Sequence, residues 1–154
     1  MSQEYLSQCA EEVRNWVKRV VVGEGLCPFA APVESRIRCI AVPSTSLVGL
    51  LQIIEDELNT LVQSDPREVP TTLVATPQML ESFDDYLDAL ALVESAIKDV
   101  ELEGVIQVAS FHPQYRFDGT DENDPANYTN RSPWPVFHFL REEQVAAAIA
   151  GHED

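Results

Sequence analysis

The sequence predicts an α/β protein, a layered sandwich with flanking helices around a mixed sheet of about four strands. Three of those strands are expected to be parallel through β-α-β crossovers and one antiparallel. Two observations carry this. From residue 36 onward, short apolar or β-branched runs alternate with longer runs whose apolar residues recur at helical spacing. Strand, helix, strand, helix, strand is the pattern of right-handed crossover units. The fourth apolar run, 136–140, follows a loop rather than a helix, so it adds more easily as an antiparallel strand. The 154 residues suffice for a single domain, 1–154, with one proper core.

Tyr5, Cys9, Val13, Trp16, Val17 and Val20 share one helical face, which predicts a helix over 4–22 ended by Gly23 and Gly25. The connector Leu26-Cys27-Pro28-Phe29-Ala30-Ala31-Pro32 is apolar, and its prolines block helix continuation. Alternation around Ile37, Cys39 and Ala41 predicts a strand over 36–42. Pro43-Ser44-Thr45-Ser46 supplies candidate caps for a helix whose stripe is Leu47, Leu50, Leu51, Ile54, Leu58 and Leu61. Residues 72–75 read as a buried strand stopped by Pro77. Ser82 followed by Asp85 opens a third helix with Phe83, Tyr86, Leu87, Leu90, Val93 and Ile97 facing inward. Gly104 hands over to a strand at 105–109, and a weak helix at 142–150 closes the chain.

Charge narrows the function. Twenty-six acidic residues against 10 basic ones give a formal net charge of −16. That field repels phosphate backbones and anionic membranes, so neither nucleic acid nor membrane is an expected partner. No basic region followed by an apolar run opens the sequence, and no stretch approaches the length of a membrane span. Cys9, Cys27 and Cys39 are odd in number and lack paired spacing, which fits reduced thiols in a cytoplasmic protein. Cys9 and Cys39 sit on apolar faces and read as core. No cofactor fingerprint is present, neither a phosphate-cradling glycine loop nor a nucleophile elbow. The sequence leaves oligomeric state open.

The informative stretch is 105–140. Its strand discharges into Ser110-Phe111-His112-Pro113-Gln114-Tyr115-Arg116-Phe117, and Asn127-Tyr128-Thr129-Asn130-Arg131-Ser132-Pro133 leads into the last strand. A connection of this length inside a compact domain is usually functional or disordered, and its rings and prolines predict order. His112 stands at the carboxyl edge of the expected sheet, where ligands bind in open α/β folds. It suits an acid or base, and equally a histidine that caps a backbone carbonyl. Arg116 and Arg131 could clamp a small anion, or could pair with Asp118, Asp121, Glu122 or Asp124 and merely pin the loop. Cys27 is a nucleophile or soft ligand if a neighbouring cation lowers its pKa, and otherwise packs. About nine residues, at roughly 3.3 Å each, are enough to bring it across to His112. His138, between Phe137 and Phe139, reads as a core histidine or as the third member of a metal set with Cys27 and His112.

Gly25-Leu26-Cys27-Pro28-Phe29-Ala30, the Ser110 and Asn127 motifs, Trp16-Val17 and His138-Phe139-Leu140-Arg141-Glu142 together resemble a mainly bacterial family catalogued as domain of unknown function 1415. The resemblance runs over nearly the whole chain. It implies that Cys27, His112, Arg131 and His138 stand in hallmark segments, and it implies no reaction.

The expectation is a small-molecule enzyme or ligand-binding protein with a pocket between the 25–30 connector and the 110–135 loop. In it Cys27 and His112 are catalytic, and Arg116, Tyr128, Asn130 and Arg131 hold an anionic ligand. One alternative is metal binding through Cys27, His112 and His138. Another is an interaction module presenting Phe111, Tyr115, Phe117, Tyr128 and Trp134 as an aromatic patch.

Overall fold

The computed structural model describes residues 3–22 and 37–146. Helix α1 spans Gln3–Trp16 and continues as a π-helix, Val17–Val22. Strand β1 (Arg38–Ala41), helix α2 (Leu47–Gln63), strand β2 (Thr71–Ala75), helix α3 (Phe83–Asp99), strand β3 (Ile106–Phe111) and strand β4 (Val136–Arg141) follow. A 3-10 helix, Pro125–Asn130, lies within the connection from β3 to β4. Residues 142–146 are helical, and the remainder of the expected last helix lies outside the described residues, as does the whole connector that carries Cys27.

The expected first helix changes form after Trp16. The change precedes a β-branched run, Val20-Val21-Val22, of a kind that crowds the preceding turn of an α-helix. Both later helices start where serine allows. Ser46 Oγ accepts the Gly49 N–H, and Ser82 Oγ accepts the Asp85 N–H, each satisfying a donor that the first turn cannot. On α3 the inward face is Tyr86, Ala89, Val93, Ala96 and Ile97, whereas Leu87, expected inside, is 40% exposed.

Strand order is β1-β2-β4-β3. Strands β1 and β2 pair in parallel, and β4 pairs antiparallel with both β2 and β3. The expected parallel pairing of three strands is therefore corrected. Strand β3 runs in the same direction as β1 and β2, but β4 inserts between them. Burial explains the insertion. Val136, Phe137, His138, Phe139 and Leu140 are all buried, while β3 is only half-covered beyond Ile106 and carries Gln107 and Ser110. The strand that is apolar on both faces takes the centre, and the mixed one takes the edge.

The sheet has a core on each face. Val13, Trp16 and Val17 pack on Cys39, Leu73, Ala75 and Val136. On the other face, Leu50, Ile54, Leu58 and Leu61 of α2 and Tyr86, Val93 and Ile97 of α3 pack on Val74, Ile106, Phe137 and Phe139. Each fully buried Phe contributes about 1.5–3 kcal/mol. Cys9 and Cys39 are buried as expected, and burial pushes the Cys39 thiol up to about 11, which leaves it protonated and inert. Arg38 grips Glu57 with two 2.9 Å bonds, joining β1 to α2. Arg141 donates to the carbonyls of Leu61 (2.7 Å) and Val69 (2.8 Å), so the end of α2 is closed by the end of β4. Among the described residues no helix is long and apolar enough to cross a membrane.

Candidate functional site

Because β4 runs against the other three strands, its start lies beside their carboxyl ends. The Val42 N–H donates to Ala75 O, and the Thr76 N–H donates to Pro135 O, so this edge is laced together beyond the strands. The connection 112–135 stands on it. The expectation that this stretch is ordered agrees with what holds it, a dense set of internal hydrogen bonds.

Asn127 is the hub. Fully buried, it accepts the Phe117 N–H (2.9 Å) and the Thr120 hydroxyl (3.1 Å), and it donates to Asp121 O (2.9 Å). Asp124 caps the 3-10 helix through the Ala126 N–H, and Pro125 supplies the first position, where no donor is needed. Asn130 ties this helix back to β3. Its carbonyl oxygen accepts the His112 N–H, and its amide donates to Ser110 O. The loop satisfies its own backbone, as a long connection must if it is to stay folded.

His112 is completely buried. One ring nitrogen, Nδ1, accepts the Gln114 N–H at 3.0 Å, which leaves the proton on Nε2, donated to Leu80 O at 2.8 Å. Phe83 and Tyr86 of α3 lie against the ring. Burial lowers the imidazole pKa, partly opposed by the bond to Leu80, so the neutral tautomer is the resting form. Tyr86, which the sequence reading placed only in the core, bridges the strands. Its hydroxyl donates to Val136 O (2.7 Å) and accepts the Phe111 N–H (3.1 Å), and these two residues are partners in the β3–β4 register.

The arginines are the exception to a pattern of internal saturation. Arg131 Nε donates to Tyr115 O and one of its Nη groups to Glu122 O, with the guanidinium 4.7 Å over the exposed Tyr128 ring. Arg116 Nε donates to Thr120 O at 2.7 Å. The ion pairs among the described residues are Arg38–Glu57 and Arg67–Asp65, so neither loop arginine is spent on a carboxylate. Asp118, Asp121, Glu122 and Asp124 lie close in sequence, yet the arginines take carbonyls instead.

His138 lies elsewhere. It sits on the α1 face of β4, opposite Leu73 and Ala109 in register. The Thr71 hydroxyl donates to Phe139 O (2.6 Å) and so accepts His138 Nε2–H at 2.9 Å. Burial drives its pKa down to about 4. His112 rests on the α3 side and His138 on the other, so the structure does not bring the two imidazoles together at one ion. Among the described residues no group of three His, Cys, Asp or Glu could hold a metal.

Of the aromatic residues in this stretch, Tyr115 and Phe117 pack edge to face at 4.9 Å. Phe111 packs on Trp16, Tyr115 on Phe83, and Trp134 donates to Glu12 and meets Tyr5. Phe117 and Tyr128 are the exposed members. Concavities lined by described residues lie between α3 and β3 (about 540 Å³), between α1 and β1 (about 260 Å³) and beside Pro133 (about 480 Å³), and none is lined by His112, Arg116 or Arg131.

The signal for the missed hub was present, since a loop this long needs side chains to satisfy its backbone, and Asn127 and Asn130 are the residues suited to it. No curated protein and no solved structure matches the chain. A family model described as a protein of unknown function (DUF1415) matches residues 8–154, a span that includes the Cys27 connector, the whole loop and all four strands. The chain belongs to the DUF1415 family.

Proposed function

We propose that this is a cytoplasmic protein that binds a small anionic molecule at the 110–135 loop, with the 25–30 connector completing the site. The observation that supports this reading is the state of Arg116 and Arg131. In a chain of net charge −16, both are fixed through Nε to loop carbonyls and neither is neutralised by a carboxylate among the described residues. Fixing Nε aims the fork and leaves Nη donors on Arg116 to meet a carboxylate or phosphate. Tyr128 and Asn130 flank this group, Tyr128 under the Arg131 guanidinium and Asn130 at the seam with β3.

The catalytic form of the proposal gives Cys27 the nucleophile's role and His112 the base's. Its cost is explicit. To take a proton on Nδ1, His112 must release the Gln114 N–H, so catalysis requires that turn to open. A structural His112 that holds Gln114 through its ring and Tyr115 through its carbonyl serves the binding reading without that step.

Native mass spectrometry of freshly purified protein tests the reading. The expected result is an adduct that fragments to an anionic metabolite and is lost in Arg116→Gln, a variant that gives up one exposed side chain and one hydrogen bond. A chain of unmodified mass that also acquires no adduct from added metabolite extract contradicts it.

A further inference from the structure

The outer edge of β3 is a second place where the fold leaves chemistry unspent. The Glu142 N–H donates to Val105 O, which sets the alternation along the strand. Odd-numbered residues turn their backbone groups toward β4, and even-numbered ones turn theirs outward. The outward groups at the two ends of the strand are occupied. Ile106 N–H donates to Leu102 O, Ser110 O accepts from Asn130, and the His112 N–H is taken by the Asn130 carbonyl. Between them Ile106 O, Val108 N–H, Val108 O and Ser110 N–H have no partner among the described residues. Open edges of this kind are commonly shortened, charged or covered.

Beside this edge α3 forms the opposite wall of a groove of about 540 Å³, with Ile106 and Val108 at its base. A helix facing an open strand is the geometry in which an extended peptide adds as a further strand, its main chain bonding to the edge and alternate side chains entering the groove. Charge selects the occupant. Among the described residues, Glu94, Glu103 and Glu142 line the groove against Lys98 as the one cation. A second copy of β3 would bring the same carboxylates toward one another, whereas a basic segment would meet them with opposite charge.

We propose that the β3 edge binds an extended basic peptide segment of a partner protein by strand addition, centred on Val108 and making up to four main-chain hydrogen bonds, two donated by the edge and two accepted. The site is separate from the loop arginines and does not depend on them.

The test uses the whole isotope-labelled chain and a short synthetic peptide of alternating lysine and valine. Hydrogen exchange at the Val108 and Ser110 amides should slow at least tenfold when the peptide saturates. The same peptide N-methylated through its central residues, and a glutamate–valine counterpart, should each bind at least tenfold more weakly. Val108→Pro removes the central N–H at a position where an edge strand tolerates proline, and Glu94→Lys with Glu103→Lys reverses the groove charge without touching the strand. Each should weaken binding to the same extent. Unchanged exchange at both amides, or equal binding of the N-methylated peptide, overturns the proposal by reducing the effect to general attraction to an acidic surface. Dimerisation of the wild type that Val108→Pro abolishes also overturns it, because the edge would then belong to a second copy.

Discussion

At the scale of single residues, the structure separates polar groups that are satisfied from those that are not. Asn127 and His112 are fully buried, and both ring nitrogens of His112 and both ends of the Asn127 amide have hydrogen-bond partners. Thr72 is the contrast. It lies on β2 between Arg38 and Phe139 in register, and its buried hydroxyl has no partner among the described residues. Desolvating a hydroxyl without a hydrogen bond costs about 1–3 kcal/mol. Thr72→Val keeps the branched shape and removes that cost. It should stabilise the protein by about 1 kcal/mol in urea unfolding, and a loss of stability would mean that the hydroxyl has a partner. His112 also shows what a sequence can and cannot reveal. Its place at the end of β3 was legible from the apolar run before it. The consumption of both ring nitrogens was not, because Leu80 reaches it from thirty-two residues away.

At the scale of elements, the joint between β3 and β4 deserves a test of its own. Tyr86 comes from α3, and its hydroxyl bridges Phe111 and Val136 at the mouth of the pair where the long loop begins and ends. Tyr86→Phe preserves the stacking on Phe137 but strands a buried carbonyl and an N–H. Stability should fall by about 1–3 kcal/mol, and amide exchange should accelerate at Phe111 and His112 before it does in β2. Equal acceleration across the sheet would show that the bridge has no local role. The elements themselves were readable from periodicity and caps, Ser46 and Ser82 included. Strand order was not, because crossover units fix handedness and leave open which edge receives a later strand. The apolar continuity of 136–140 held the clue, since a strand buried on both faces belongs in the middle. The loop's arginines were legible as special but ambiguous, since sequence cannot distinguish a carboxylate partner from a carbonyl.

At the scale of the whole molecule, charge and burial oppose each other as pH falls. Protonating surface carboxylates relieves the self-repulsion of a chain at −16 and favours the fold. His138 acts in the other direction. Its folded pKa is about 4, below the ordinary imidazole value near ~6.5, so the unfolded chain binds a proton that the folded one refuses. Its share of stability is complete above that ordinary value and is lost as pH falls toward 4, amounting to roughly 3 kcal/mol. His138→Gln should lose less stability than the wild type between pH 7 and pH 5, with the carboxylate effect common to both. Parallel pH profiles would show that His138 titrates normally. The same balance of charge bears on the binding reading, because a molecule this acidic attracts an anion only where arginines are held apart from carboxylates. The most direct test of that claim is an NMR titration of labelled protein with inorganic phosphate at constant ionic strength. The account predicts saturable shifts confined to residues around Gln114, Arg116, Tyr128 and Arg131, with affinity weakened about tenfold or more in Arg116→Gln, the loss of one charge-assisted contact. Shifts that grow without saturation, or a site elsewhere that is indifferent to Arg116, would contradict it.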